Sequence, residues 1–279
     1  MALMRTIGRR SVLRGLGHTA TFGSLAAALP SLARAAQPAA AAAAPQKICL
    51  SMLYPSGDGL SFDADGFRNR HLAILKNAYG NAVERIELRV SPPLPEPPPP
   101  VEGEEPLPMP KPQPVLAAVS IWIANVNDFI QRTQASAKDV AADMANITKS
   151  APMVQFDILE GQGGAGANAV IGGTTVLSSY FFAKEGSSID AAWFGKTYLP
   201  KVVAAYGPQA LQRAEVWRGE LAQGGGKPLI ASVLHLYVNN TDAFDAASAN
   251  EAVQALGAEA AANSTIAPVN LIMTVHATG

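Results

Sequence analysis

Residues 61–80, SFDADGFRNRHLAILKNAYG, recur without a gap as residues 188–207, SIDAAWFGKTYLPKVVAAYG. At this offset of 127 positions Ser61, Asp63, Ala64, Phe67, Leu72, Tyr79 and Gly80 meet Ser188, Asp190, Ala191, Phe194, Leu199, Tyr206 and Gly207, and Gly59 meets Gly186. Each copy opens on Ser and Asp, residues that cap a helix, and closes on a glycine, which ends one. Self-similarity at a fixed offset means one structural unit used twice, so a fold assigned to one copy serves for both.

Around the first copy, Lys47 to Tyr54 reads as a strand and Asp63 to Tyr79 as a helix. Val83 to Val90 is a strand with Val83 and Arg85 alternating against Glu84, Ile86 and Leu88, and Val115 to Ala124 is the next. A helix from Asp128 to Ala145 and a strand from Met153 to Leu159 complete the order β-α-β-β-α-β. Beyond the first helix the offset becomes 114, pairing Val119 with Val233 and Asn125 with Asn239. The second copy then has strands near 174–182, 211–218, 229–238 and 266–276, and helices near 189–206 and 242–261. The change of offset has a local cause. The middle strands are joined by 91–114 in the first copy, a segment holding 12 of the chain's 21 prolines, and by Gly224 to Pro228 in the second. The proline insert reads as an extended, solvated hairpin tip, with a docking strap for a protein partner as the sharper alternative.

The predicted fold class is α+β: two tandem ferredoxin-like βαββαβ units, 47–161 and 170–279. Each unit leaves one sheet face bare, and packing sheet against sheet into a closed barrel covers both. A cleft is expected between each sheet and its helices, or inside the barrel. The glycines of 161–166 fall between the units and read as a linker; no Lys-Ser/Thr follows to make them a phosphate loop.

At the N-terminus, Gly8-Arg9-Arg10-Ser11-Val12-Leu13-Arg14 has the twin-arginine spacing, a mildly apolar stretch follows to Ala33, and Ala33-Arg34-Ala35 offers a cleavage site before Ala36. Residues 1–35 are read as an export signal and 36–46 as an Ala/Pro-rich spacer, which places the mature chain in the periplasm or outside the cell. Taking the five leader arginines from the 21 Lys+Arg leaves 16 against 22 Asp+Glu, a mature charge of −6. Such a surface does not attract nucleic acid or anionic lipid. With 48% hydrophobic residues and a single cysteine, Cys49, the mature chain must be held by packing and not by an internal disulfide.

The first copy resembles the EthD family of dimeric α+β barrel proteins. The resemblance rests on Leu53-Tyr54-Pro55, Phe62-Asp63-Ala64-Asp65-Gly66-Phe67 and His71-Leu72, with Val126-Asn127-Asp128-Phe129, Asp143-Met144-Ala145-Asn146 and Pro152-Met153-Val154-Gln155 further on. Ala73 stands where the family has a proline and Gly66 where it has an aromatic; the second copy carries Tyr198 in place of His71 but restores the proline at Pro200. The resemblance implies a barrel fold and an association with oxidative chemistry, including cofactor-free oxidation of phenols in related barrels. Fold alone does not choose a reaction.

His71 shares a helix face with Phe67, Leu75 and Ala78, and an imidazole there reads either as a general base or as a core histidine satisfied by its neighbours. Tyr198 and His235 are lesser candidates, His235 sharing a strand face with Tyr237. Tyr54, Phe67, Trp122 and Tyr237 are expected to line an aromatic pocket, or else to be core. Metal binding is not expected from three mature histidines without ligand spacing. No cofactor is expected, haem on a single axial His being the exception weighed. The expected function is binding or oxidation of a small hydrophobic or phenolic molecule; the alternatives are a non-catalytic periplasmic accessory protein and a haem enzyme of the peroxidase type.

Overall fold

The computed structural model describes residues 46–93, 112–166 and 172–279. The expected export signal, nearly all of the spacer and the body of the proline insert lie outside the described residues. The first half contains β1 (Ile48–Pro55), α1 (Ala64–Gly66), a π-helical turn (Phe67–His71), α2 (Leu72–Tyr79), β2 (Val83–Val90), β3 (Val115–Ile123), α3 (Val126–Ile147) and β4 (Met153–Gly163). The second contains β5 (Thr175–Phe182), α4 (Ala191–Trp193), another π-helical turn (Phe194–Tyr198), α5 (Leu199–Ala210), β6 (Leu211–Ala222), β7 (Ile230–Val238), α6 (Thr241–Ser248), α7 (Glu251–Ala262) and β8 (Val269–Thr278). The order strand, helix, two strands, helix, strand therefore occurs twice.

Local chemistry sets the helix boundaries. The Asp63 carboxylate accepts from Gly66 N at 2.8 Å and the Asp190 carboxylate from Trp193 N at 2.9 Å, so the aspartates of the repeated stretch are the N-caps. Asn125 and Asn240 cap α3 and α6 in the same way. The helix expected over 242–261 is two helices, because Asn250 leaves the helical conformation and its side chain caps Ala252 N at 3.0 Å.

The eight strands close into one barrel in the order β1-β3-β2-β8-β5-β7-β6-β4. Each half supplies four neighbouring strands, and the two sets are joined by antiparallel pairs β2–β8 and β4–β6. One expectation is corrected at the second joint. Gly161, Gln162 and Gly163, read as linker, pair with Val216, Glu215 and Ala214 as the end of β4. The glycine at 161 has a packing reason: a Cβ there would lie 2.3 Å from the carbonyl oxygen of Gly195, and a Cβ on Gly195 would lie 2.5 Å from the carbonyl carbon of Glu160. Two glycines thus let the second π-helical turn rest backbone-on-backbone against β4.

Closure gives the sheet an outer and an inner face. Ile48, Leu50, Met52, Tyr54, Ile86, Leu88, Val119, Ile121 and Phe156 face outward and pack under Phe67, Leu75, Tyr79, Phe129 and Val140 of the first helical layer. Val216, Leu234 and Val238 do the same under Phe194, Leu199, Val202 and Phe244 in the second half. The inner face carries a separate apolar cluster that includes Cys49, Leu53, Trp122, Tyr180, Trp217, Val233 and Met273. It also carries charged side chains, which the alternate positions of β2 and β6 bring inward.

Candidate functional site

The π-helical turn at Phe67–His71 inserts an extra residue into the first helix, with the Leu72 backbone N–H reaching back to the Phe67 carbonyl. Such turns re-aim the side chains around them and recur at functional sites. Here the turn brings His71 Nδ1 to 2.8 Å from Asp143 Oδ2 on α3, while Arg70 Nε donates to the other oxygen, Oδ1, at 2.6 Å. The imidazole is 1% exposed and its ring centroid lies 5.1 Å from that of Phe67. Asp143 is at the water-facing edge, its side chain 12% exposed.

The electrostatics follow from this placement. Burial lowers the His71 pKa, and the Asp143 carboxylate only partly offsets it, so the ring is neutral at neutral pH. Burial raises the Asp143 pKa, but the hydrogen bonds from His71 and Arg70 outweigh it and hold the carboxyl below its ordinary value. A charged carboxylate facing Nδ1 selects the tautomer with the proton on Nδ1, which leaves the lone pair on Nε2. The arrangement is an oriented base in an aromatic layer. Tyr54, Phe62 and Phe67 continue that layer, with successive ring centroids 4.9 and 6.0 Å apart.

The second half has the same order of elements but no such dyad. Matching backbone bonds, Asp63 N to Ile147 O and Asp190 N to Asn263 O, put Glu259 at the place of Asp143. Tyr198 stands for His71, stacked on Trp193 with centroids 5.5 Å apart, and Glu259 pairs with Lys201 instead. Burial pushes the Tyr198 hydroxyl up to about 12, so it stays protonated.

His235 and Tyr237 do project together, into the barrel, but into a filled lumen. His235 is held by Ser178 Oγ at 2.8 Å from Nδ1 and by Arg89 Nη1 at 3.0 Å from its ring nitrogens. Burial, then Arg89, Arg213 and Arg85, push its pKa well below the ordinary value. Tyr237 donates to Glu87 Oε1 at 2.7 Å and lies under the Arg213 guanidinium at 3.6 Å. Arg213 Nη2 donates to Glu87 Oε2 at 3.0 Å, and Arg89 Nη2 to Ser120 Oγ at 2.6 Å. The space left among Ser51, Arg89, Ser120, Asp157, Tyr180 and His235 is about 10 Å³. That is room for about one water and no substrate, so the expected cleft inside the barrel is not present at this depth.

The expected aromatic pocket divides across the sheet. Tyr54 and Phe67 lie with His71 in the outer layer, whereas Trp122 and Tyr237 point into the barrel. The pleat explains the division: Trp122 pairs with Cys49, and Tyr54, five residues along the same strand, points to the opposite face. Residue order could not show Asp143, which reaches His71 from a helix 72 residues away. Among the described residues no group of three or more His, Cys, Asp or Glu side chains converges as metal ligands, and no helix is long and apolar enough to cross a membrane.

No family model matches the sequence, and neither does any curated protein. Among solved structures, a monooxygenase-like protein from Fusobacterium nucleatum aligns over 84% of this chain and 93% of its own with a TM-score of 0.51 at 7% identity. An EthD-like protein from Ralstonia eutropha aligns over 37% of this chain and 91% of its own at 24% identity, TM-score 0.33. An anthrone oxidase-like protein aligns over 84% and 92% at 11% identity, TM-score 0.44. The first of these likenesses establishes the fold, an α+β protein built on a closed eight-stranded barrel; at such identity none carries a reaction.

Proposed function

We propose that this chain is an exported, EthD-like protein, a duplicated ferredoxin-like unit, that binds a small hydrophobic or phenolic molecule and oxidises it without a resident cofactor. The observation that carries the reading is the 2.8 Å bond from His71 Nδ1 to Asp143, set in the aromatic layer of Phe67, Phe62 and Tyr54. A phenol entering this layer passes its proton to His71 Nε2 as one electron leaves it for dioxygen, so that the products of the step are a phenoxyl radical, superoxide and a protonated imidazole. General-base help of this kind contributes roughly 10²–10⁴-fold. The test is oxygen uptake with a panel of phenols: a His71→Ala variant that folds normally and has lost uptake supports the assignment, and unchanged uptake overturns it. An absorbance spectrum of the freshly purified protein with a Soret band would overturn the cofactor-free part.

One observation favours a second reading, binding without turnover. His71 is 1% exposed, so a ligand reaches Nε2 only when the helical layer parts from the sheet. In that reading the dyad ties α3 to the π-helical turn, and the protein is a periplasmic carrier or accessory factor. Phenol binding that persists without oxygen uptake in the unmodified protein selects it. Export itself is tested by replacing Arg9 and Arg10 with lysine, which should leave the precursor in the cytoplasm.

A further inference from the structure

At the end of the barrel where β1 begins, the lumen opens to water through a cavity of about 230 Å³ lined by Lys47, Glu84, Arg85, Trp122, Leu159 and Glu215, among others. It lies on the inner side of the sheet, away from His71, and nothing in the proposed reaction uses it. Its volume is below the roughly 300–1,000 Å³ of sites for drug-sized ligands, which suits a single-ring molecule.

The charges around it do not balance. Three guanidiniums, of Arg85, Arg89 and Arg213, face inward and are paired with two carboxylates, of Glu87 and Glu215. Arg89 and Arg213 both contact Glu87, at 3.4 and 3.0 Å. Glu215 already takes Arg213 Nε at 3.2 Å and the Trp217 indole N–H at 3.0 Å, so the 3.4 Å approach of Arg85 Nη2 is its third contact. The remaining inward acid, Asp157, sits deeper, and burial pushes its carboxyl up to about 7; the remaining inward base, His235, is neutral. Three cations face two paired anions and Asp157, which is about half ionised at neutral pH, so the inward-facing groups carry an excess of about half a positive charge, while Lys47 and Glu84 on the rim cancel. Arg85 is the one placed at the opening: its guanidinium carbon lies 3.5 Å from the centroid of the Trp122 ring, its side chain is 17% exposed, and its buried Nε has no hydrogen-bond partner. On the rim Lys47 adds a second cation, held only loosely by Glu84 at 3.7 Å.

We propose that the barrel mouth is a binding site for a single-ring aromatic carboxylate, whose carboxylate engages the Arg85 guanidinium and the Lys47 ammonium while its ring packs on Leu159 and the edge of Trp122. A guanidinium held over an indole and only weakly engaged by Glu215 is positioned to donate to a carboxylate. The ring supplies the apolar contact that distinguishes this ligand from acetate or chloride.

The experiment is a titration of the full mature chain with benzoate, benzyl alcohol, benzylamine and acetate, followed by calorimetry and by tryptophan fluorescence, since Trp122 lines the cavity. Benzoate is expected to bind at least tenfold more tightly than the other three, with an affinity that falls as salt rises. Arg85→Met, which keeps the stem over Trp122, should lose at least tenfold, Lys47→Met should weaken binding severalfold, and Glu84→Gln should strengthen it. Equal affinity for benzoate and benzyl alcohol, no binding of benzoate, or a folded Arg85→Met variant that binds as before would overturn the proposal. If Arg85→Met does not fold, the two exposed rim variants decide: opposite shifts support the site, and no shift in either contradicts it. Loss of phenol oxidation in His71→Ala leaves this result untouched, so the two sites fail separately.

Discussion

Asp143 Oδ2 accepts from His71 Nδ1 at 2.8 Å across the gap between α3 and the first π-helical turn, and the other oxygen of the same carboxylate takes Arg70. One carboxylate therefore serves a buried ring and an exposed guanidinium at once. The two bonds should differ in weight. Asp143→Ala leaves a buried imidazole N–H without its acceptor, and is expected to cost about 1–3 kcal/mol in urea unfolding. Arg70→Ala removes a partner that is half exposed, and should cost under about 1 kcal/mol. Equal costs would mean that the dyad is not the tie described.

Burial raises the Asp157 pKa to about 7, while in the unfolded chain it titrates near 4. The folded state therefore holds a proton that the unfolded state releases between these values. Its contribution to stability is complete below about pH 4 and is lost as pH rises towards 7. Asp157→Asn keeps an acceptor for Gln155 Nε2, which donates to Oδ1 at 2.5 Å, but cannot ionise. Relative to the natural chain, the variant should gain stability at pH 8 and show little change at pH 4.5, by denaturant midpoints at the two values. A gain of the same size at both would contradict the buried, proton-holding carboxyl.

The joint between β4 and the second half rests on two glycines. A Cβ at Gly161 meets the Gly195 carbonyl oxygen at 2.3 Å, and both partners are backbone, so neither can swing aside. Gly161→Ala or Gly195→Ala alone should destabilise by more than about 3 kcal/mol, beyond the usual range for point changes. Gly172→Ala, where an added Cβ meets open space, should be near neutral. A thermal melt of the three variants is sufficient, and a benign Gly161→Ala would show that the contact is looser than described.

Inside the barrel, Glu87 receives Arg213 Nη2 and the Tyr237 hydroxyl in a fully buried place. Glu87→Leu takes from the buried Arg213 Nη2 and the Tyr237 hydroxyl the acceptor they share, while leaving Arg213 its contact with Glu215, and is expected to cost about 3–5 kcal/mol. A loss under 1 kcal/mol would indicate that water reaches the lumen.

The order of elements was legible because the repeated stretch 61–80 fixes one unit and its offset fixes the other. The cap could be narrowed to Ser61 or Asp63 because capping is decided within three residues, and Asp63 is the one that accepts from Gly66 N. The site was legible only in its local part. His71 stands out by its place on an apolar face, but Asp143 and Arg70 act through a helix pairing that spacing does not reveal. Of the lumen, only the shared face of His235 and Tyr237 was legible, and its charges were not. Arg85, Glu87 and Arg89 alternate along β2 as a solvent-facing row would, and only barrel closure turns that row inward. For the same reason Trp122 and Tyr237 could be assigned a face of their strands, but not whether that face was the one shared with Tyr54 and Phe67.

That His71 takes the proton of a phenolic ligand as it is oxidised is tested most directly by the pH dependence of oxygen uptake. Burial lowers the His71 pKa, so in the natural chain uptake should hold through neutral pH and fall only on the acid side of the ordinary imidazole value, where the ring takes up a proton and ceases to be a base. A folded His71→Ala variant should show much lower uptake without that acid limb; the same acid limb in both proteins, or undiminished uptake in the variant, would contradict it.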